Sequence, residues 1–414
     1  MNFNFFLARK IGSRADATGH LSRTGTIISV VSVAVSIAVI VVATAVSNGF
    51  RKEIGGKARG FSGDAVLEPV GGDISNADKP LEAPLSYIDE LGKLPFVEQV
   101  SPVSYARGIL KTPHDIGGIL LKGVDSLYNM EFYSKYLCEG KIPSFNGRLS
   151  NGVLVSKRLA DMFGYKAGSK LTAYFVGEQV KVRRFDVEGI FDTGLDMADK
   201  FLVVGDMRHV TRLNGWGDGL SGYEIFYNNY DADNWLERAQ QVEDVIYSYT
   251  LEGDSPVAVE PLQDKYYVLF DWLGLLDLNV VVILALMIAV AGFNMVSGLL
   301  IMLFERISQI GLLKSLGMTN KGVSRIFLTK SALVVLHGMV WGNAIAVVLC
   351  LVQKYFNVIS LDPANYFVAS VPVDFNLFWI LAMNAISFVA IMLVMMLPCL
   401  FISRIDPAST MRVK

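Results

Sequence analysis

The sequence predicts an integral membrane protein with four transmembrane α-helices and a large α+β extracytoplasmic domain between helices 1 and 2. Three observations carry this. Four long stretches, 27–50, 278–304, 331–353 and 375–403, contain no charged side chain, and each reaches the roughly 20 apolar residues a helix needs to cross the hydrocarbon core. The basic residues gather on one side of those stretches, as cytoplasmic segments do. The 414 residues are 52% hydrophobic and 18% charged, with a mean hydropathy of +0.42, against about 25% charged for an average soluble domain.

Taken in order, residues 1–26 form a cytoplasmic or interfacial N-terminal segment. Phe3, Phe5, Phe6 and Leu7 precede Arg9 and Lys10, a pattern that fits both an interfacial helix with its rings at the headgroups and a short apolar tail packed on the bundle. Transmembrane helix 1 covers 27–50. It starts too late and runs too long for a cleaved signal core, so it reads as an uncleaved anchor. Residues 51–274 hold 24 Lys or Arg against 33 Asp or Glu and are long enough for a core of their own. Within them 152–156, 182–190 and 201–204 read as strands, 81–94 and 236–249 as helices, and 109–111 pairs with 119–122 across a turn at 114–118. The glycine-rich stretch 214–222 reads as a surface loop. The ends of the domain, 51–58 and 260–274, read as helical extensions of the adjoining spans, forming a stalk.

Helix 2 follows at 275–304, a short cytoplasmic helix and loop at 305–330, helix 3 at 331–353, a short periplasmic loop at 354–374, and helix 4 at 375–403. Pro398 kinks the last turns of helix 4, and Pro407 stops the helix in the tail, 404–414. Arg9, Lys10, Arg14 and Arg23 precede helix 1, and Arg306, Lys314, Lys321, Arg325 and Lys330 fill the 305–330 link. Arg404, Arg412 and Lys414 follow helix 4, whereas the 354–374 loop has only Lys354 beside Asp362 and Asp374. The positive-inside rule therefore places both termini and the 305–330 link in the cytoplasm.

The chain offers no catalytic constellation and is not read as an enzyme. It lacks a Gly-x-x-x-x-Gly-Lys-Ser/Thr phosphate loop, a Gly-x-Ser-x-Gly elbow and a His-Glu-x-x-His pair. His20, His114, His209 and His337 are scattered, and Cys138, Cys350 and Cys399 give neither a disulfide framework nor metal-ligand spacing. A net charge of -2 says nothing strong about partners, and no nucleic acid is expected among them. The spans hold no interior Asp, Glu, Lys or Arg, and Asp277 stands only at a boundary, which argues against an ion or solute pathway. His337, with Gly338, Trp341, Gly342 and Asn343 beside it, reads as a helix–helix contact, as do Asn294 and Asn384.

The most informative stretch is ERISQIGLLKSLG, 305–317. Ile307, Ile310, Gly311, Leu313 and Leu316 leave one apolar side on a short helix, Ser308, Gln309, Lys314 and Ser315 a polar one. The residues alone leave two readings level: an interfacial helix anchoring the loop, and a docking helix for a cytoplasmic partner.

This stretch resembles the signature of ABC transporter permeases of the type VII, mechanotransmitting class, to which the lipoprotein-releasing family belongs: Glu305 and Arg306, then Ile310, Gly311, Leu313, Lys314, Ser315, Leu316 and Gly317. The tail Asp406, Pro407, Ala408 and Arg412 is similar to the family's closing motif, with Met411 where Leu is common. Asn48-Gly49-Phe50 before Arg51, Lys52 and Glu53 resembles the end of the first helix in lipoprotein-releasing permeases, and the resemblance covers essentially the whole chain. It implies a bacterial inner-membrane subunit that binds no cofactor itself. Its partners are a dimer of cytoplasmic ABC ATPases carrying ATP and magnesium, a second permease chain, identical or homologous, a lipoprotein substrate, and a periplasmic acceptor.

The resemblance further implies that Glu305, Arg306, Ile307, Ile310, Gly311, Leu313, Lys314, Leu316 and Gly317 couple the chain to its ATPase. It places lipoprotein contact between helices 1 and 2, at Val33, Ile37, Ile40, Val41, Ala45 and Phe50 on one and Met287, Val290 and Asn294 on the other. Lifting an acyl chain from a bilayer costs roughly 0.8 kcal/mol per CH₂, so extraction of several chains needs an external energy source. The alternatives within the same architecture are peptide or drug export with an outer-membrane partner, and control of a cell-wall hydrolase.

Overall fold

The computed structural model describes residues 20–76, 79–82, 84–113, 115–176, 179–228, 234–305 and 307–401. The N-terminal aromatic cluster, His114, Arg306 and the tail motif lie outside them. In chain order the elements are α1 (His20–Ser62), β1 (Ala65–Pro69), α2 (Ile88–Leu91), β2 (Val97–Lys111), β3 (Ile116–Val124), α3 (Glu131–Lys135), β4 (Leu137–Gly140) and β5 (Gly152–Ser156). Then come α4 (Lys157–Phe163), β6 (Lys170–Val176), β7 (Val180–Phe191), α5 (Asp196–Asp199), β8 (Leu202–Asp206), α6 (Met207–Asn214), β9 (Gly222–Tyr227), α7 (Trp235–Tyr249) and β10 (Val257–Pro261). The chain finishes with α8 (Leu262–Lys265), α9 (Tyr267–Glu305), α10 (Ile307–Ser315), α11 (Asn320–Phe356), α12 (Pro363–Tyr366) and α13 (Leu377–Phe401).

These elements divide into two compact units. One takes the described residues up to Phe50, Trp272–Ile359 and those from Val371 onward; the other takes Arg51–Asp271 and Ser360–Ser370. Among the described residues, four helices, α1, α9, α11 and α13, are long and apolar enough to cross a membrane.

In the first unit the helices meet through small residues. Gly338 and Gly342 are one helical turn apart on α11. A Cβ at 338 would stand 2.7 Å from the Val33 side chain, and one at 342 would stand 2.6 Å from the Ala34 carbonyl oxygen, so α11 touches α1 nearly backbone to backbone. Lipid tails are as apolar as leucine, so such close packing and polar pairs hold the helices together. Asn343 and Asn384 exchange hydrogen bonds of 2.8 and 3.0 Å between α11 and α13. Asn294 donates to Ser32 Oγ at 2.6 Å. His337 is exposed and bonds the Leu333 carbonyl of its own helix at 2.7 Å, so its glycine and asparagine neighbours make the contact that the sequence assigned to the group. Pro398 lies inside α13, which continues to Phe401. The Asn48-Gly49-Phe50 motif has a local reason: a side chain at 49 would run into the backbone of Pro372 and Val373, and Phe50 packs edge-on to Trp272 with centroids 5.9 Å apart.

The second unit is built on a ten-stranded sheet ordered β10-β1-β9-β2-β3-β8-β5-β7-β4, with β6 pairing β2 and β7. Two strand–helix pieces repeat one local solution. Ser156 caps α4 by accepting from Leu159 N, and Asp206 caps α6 by accepting from Arg208 N; left-handed Gly164 and Gly215 close the two helices. The strand at 152–156 and the helix at 236–249 fall where the sequence places them. The hairpin of β2 and β3 forms in another register than the sequence sets: 109–111 face 116–118, which are strand and not turn, and 119–122 face 105–108.

Three further readings need correction. The 81–94 stretch keeps only the single turn Ile88–Leu91 as α-helix, because Pro84 and Pro95 bound the helical backbone on either side. Glu260 does not begin a helix: Val257–Pro261 is a strand facing β1, with Glu260 opposite Val66, and Pro261 delays the helical backbone to residue 262. The 214–222 loop is a surface loop only in its first half, since Leu220 and Ser221 are buried and Leu220 bridges Leu81.

Candidate functional site

The segment 305–317 lies where α9 ends at Glu305 and α10 begins at Ile307. Gly317, at φ +88, turns the chain, and Thr319 caps α11 by accepting from Gly322 N. Thus α10 is a separate nine-residue helix between two long ones. Its faces differ. Ile310 is 1% exposed and belongs to the same core as Val323 and Phe327 of α11; Gly311 is buried beside it, and Ile307, Leu313 and Lys314 are half-buried. Leu312 and Leu316, four residues apart, are 57% and 77% exposed.

Of the predicted set, then, Ile310 and Gly311 seat the helix on its own chain, and Leu316 faces outward with Glu305 and Gly317. Leu312 is an outward residue that the sequence reading passed over. Its signal was the i, i+4 spacing to Leu316, masked by a helix that carries leucine and isoleucine on nearly every side.

The helix 1 and helix 2 set is not brought together on one open surface. Val33, Ile37, Ile40, Val41, Ala45 and Phe50 are all buried, the first two against Gly338 and Gly342. On α9, Met287 is half-buried and Val290 is 42% exposed, while Asn294 donates to Ser32 of α1. At the outer end of the pair Ser47 donates to Asp277 Oδ1 at 2.7 Å.

The second unit holds a buried polar centre that no sequence reading identified. Lys122 and Glu224 are both fully buried and paired at 2.7 Å. Tyr105 donates to Glu224 at 2.7 Å and Tyr128 does so at 2.9 Å. Burial and the carboxylate beside them hold both phenols well above the ordinary tyrosine range. Nearby, burial raises Asp64 to about 6, against the pull of Arg59 at 2.7 Å. Burial likewise raises Asp199 to about 6, although Thr193 donates to it from both N and Oγ1. Burial pushes His209 down, and its ring bonds the Ser150 carbonyl at 3.0 Å. Among the described residues, no group of three or more His, Cys, Asp or Glu is placed to hold a metal. The arrangement offers a helix with an apolar outward edge and a domain with an ion pair at its centre.

Two family matches cover most of the chain. Residues 26–257 match the MacB-like periplasmic core domain, and residues 281–407 match the FtsX-like permease C-terminal domain. The lipoprotein-releasing system transmembrane protein LolC of Xylella fastidiosa is 23% identical over 402 residues, covering 93% of this chain and 92% of that protein. LolC of Neisseria meningitidis serogroup B is 23% identical over 414 residues, covering 94% of each. Among solved structures, the periplasmic region of MacB from Actinobacillus actinomycetemcomitans covers 51% of this chain and 94% of that one, at 14% identity and a TM-score of 0.35. With the core-domain match spanning more than half of its length and the permease match taking in its last three apolar helices, the chain belongs to the FtsX/MacB-type ABC permeases, as a non-catalytic, multi-pass membrane subunit.

Proposed function

We propose that this chain is a mechanotransmitting permease: a separate ATPase pair moves it through residues 305–317, and the outer domain acts on cargo in the periplasm. The observation that carries this is the continuity of α1. Its 43 residues measure about 65 Å at 1.5 Å per residue, roughly twice the hydrocarbon thickness, and the helix runs without a break from its apolar stretch into residues that pack in the sheet domain. Spans with no interior charge suit a lever better than a pore. In this reading both termini and α10 face the cytoplasm of a bacterial inner membrane. Leu312 and Leu316 meet the ATPase directly, with Glu305, Arg306, Ile307, Leu313, Lys314 and Gly317 beside them, while Ile310 and Gly311 hold the helix in place. ATP and magnesium reside in the ATPase, and a second permease chain completes the complex.

For cargo, a second and finer reading has its own support. The relatives named as lipoprotein-releasing proteins align along more than nine-tenths of the chain, which favours extraction of lipoproteins from the outer leaflet and delivery to a periplasmic acceptor. In that case the apolar residues of α1 and α9, from Val33 to Phe50 and from Met287 to Asn294, come to face lipid anchors when the helices part.

The test is ATP-dependent release from proteoliposomes containing the purified permease with its co-purifying ATPase, native lipoproteins and periplasmic extract. Release that disappears in Leu312→Asp/Leu316→Asp, with loss of ATPase capture, supports both cargo and coupling. Hydrolysis without release turns the reading to export or hydrolase control. Failure to capture any ATPase sinks the mechanotransmitting reading.

A further inference from the structure

The end of α1 inside the second unit is held in an unusual way. The last four carbonyls of a helix have no intrahelical donor. One of them, that of Phe61, receives a hydrogen bond of 2.6 Å from Lys122 Nζ. The same ammonium donates to Tyr128 Oη at 2.8 Å and to Glu224 Oε2 at 2.8 Å, so all three of its hydrogens are committed. Lys122 lies on β3, Tyr105 is its register partner on β2, and Glu224 is on the next strand, β9. One buried cation thus ties the helix terminus to three adjacent strands at the centre of the sheet.

A second tie runs parallel to the first. Arg59, in the last turn of α1, donates to Asp64 at 2.7 Å and to the Tyr227 carbonyl. Asp64 Oδ2 accepts from Tyr227 N at 2.7 Å. The return path is held as well, because Leu262 N donates to the Asp64 carbonyl at 3.0 Å, just after β10 and at the first residue of α8. Stability alone does not call for such an arrangement. A buried ion pair is commonly matched or bettered by apolar residues of equal volume, whereas it fixes orientation in a way apolar packing does not. A cation at a helix C-terminus also matches the helix dipole.

We propose that Lys122 is the fastener through which displacement of α1 passes into the outer-domain sheet, so that the load bypasses the short Gly63–Asp64 link and falls on β3, β2 and β9. This rests on the mechanotransmitting reading above. Lys122→Met/Glu224→Gln removes the bond to Phe61 while nearly keeping volume and leaving no buried charge unpaired. In the assembled permease–ATPase complex, one spin label is attached at native Cys138, which is exposed on β4. The other is attached at Val358→Cys, a residue 66% exposed, with Cys350 and Cys399 changed to serine.

In the parent complex, trapping with ATP and vanadate shifts the distance distribution between the labels. In the double variant the complex still hydrolyses ATP and the shift is markedly smaller, since only the Arg59 tie remains. A double variant that shifts as the parent does overturns the fastener, and so does one that fails to assemble, since Lys122 then serves the fold and not the coupling. A parent that hydrolyses ATP with no shift overturns the mechanotransmitting reading itself, a result distinct from either.

Discussion

The two ends of α1 are fastened by opposite chemistry. Toward its N-terminal half, Val33, Ala34 and Ile37 lie against Gly338 and Gly342, and a neutral hydrogen bond runs from Asn294 to Ser32. Toward its C-terminus the same helix is held by an ammonium, a guanidinium and two carboxylates, all but the guanidinium almost wholly buried. The difference follows from the surroundings. In hydrocarbon no water is expelled when helices meet, so close backbone approach and uncharged hydrogen bonds do the holding. In the sheet domain apolar burial already supplies the cohesion, and buried charge can be spent on direction. One helix is therefore closely packed at one end and tied by charge to a fixed point at the other.

The largest effect that separates these regimes should come from breaking the fixed point on one side only. Lys122→Met alone leaves Glu224 buried without its cation, which should cost about 3–5 kcal/mol. Lys122→Met/Glu224→Gln should recover most of that, as read by denaturant midpoints of the purified chain. Equal losses in both would mean that packing, not charge, holds the terminus. Next in size is Gly342→Leu in the other unit, where the new Cβ meets the Ala34 carbonyl at 2.6 Å. Overpacking of this kind costs about 2–3 kcal/mol and should lower the thermal midpoint in detergent, whereas Val340→Leu on the exposed face of α11 should leave it unchanged.

The same contrast explains what the sequence made legible. Apolar length and basic bias are local signals, and the four spans and the short helix at 305–317 come directly from them. The 152–156 strand comes from a run of Val and Leu ended by a capping serine. Lys122 and Glu224 lie 102 residues apart, and each looks like an ordinary solvent-facing charge until the sheet order places β3 two strands from β9. Likewise, a helix apolar nearly all round has no phase to read, so only packing separates Ile310, turned into the core, from Leu312 and Leu316. Residues 360–370 group with the sheet domain, with Val368 buried there. No periodicity in a short loop between two spans announces that.

A pH dependence should follow from the second unit alone. Asp199, 3% exposed, has its folded pKa raised to about 6 by burial, above its unfolded value of about 3.9. Between those values the native state binds more protons than the unfolded one, so stability is highest in acid and falls as pH rises from about 4 to about 6, by about 2 kcal/mol for this group. Asp64, raised likewise to about 6, adds a slope of the same sign. Asp199→Asn should make the fall between pH 4 and pH 7 shallower, measured as the midpoint of the sheet-domain transition. An unchanged slope would mean that Asp199 is ionised in the fold at neutral pH without penalty.

The smallest effect tests whether the neutral end of the comparison is as weak as its chemistry implies. Asn343 and Asn384 exchange two hydrogen bonds across α11 and α13, and each also bonds a carbonyl of its own helix, Met339 or Ile380. Those local acceptors remain available when the helices separate, so breaking the pair returns part of its energy. A double-mutant cycle of Asn343→Ala and Asn384→Ala should therefore show a coupling of only about 0.6–1 kcal/mol, well below that of Lys122 with Glu224 in the parallel cycle. Coupling equal to that of the charged pair would overturn the contrast, because the membrane end would then hold a fixed point of its own and displacement of α1 would be resisted by α11 and α13 together.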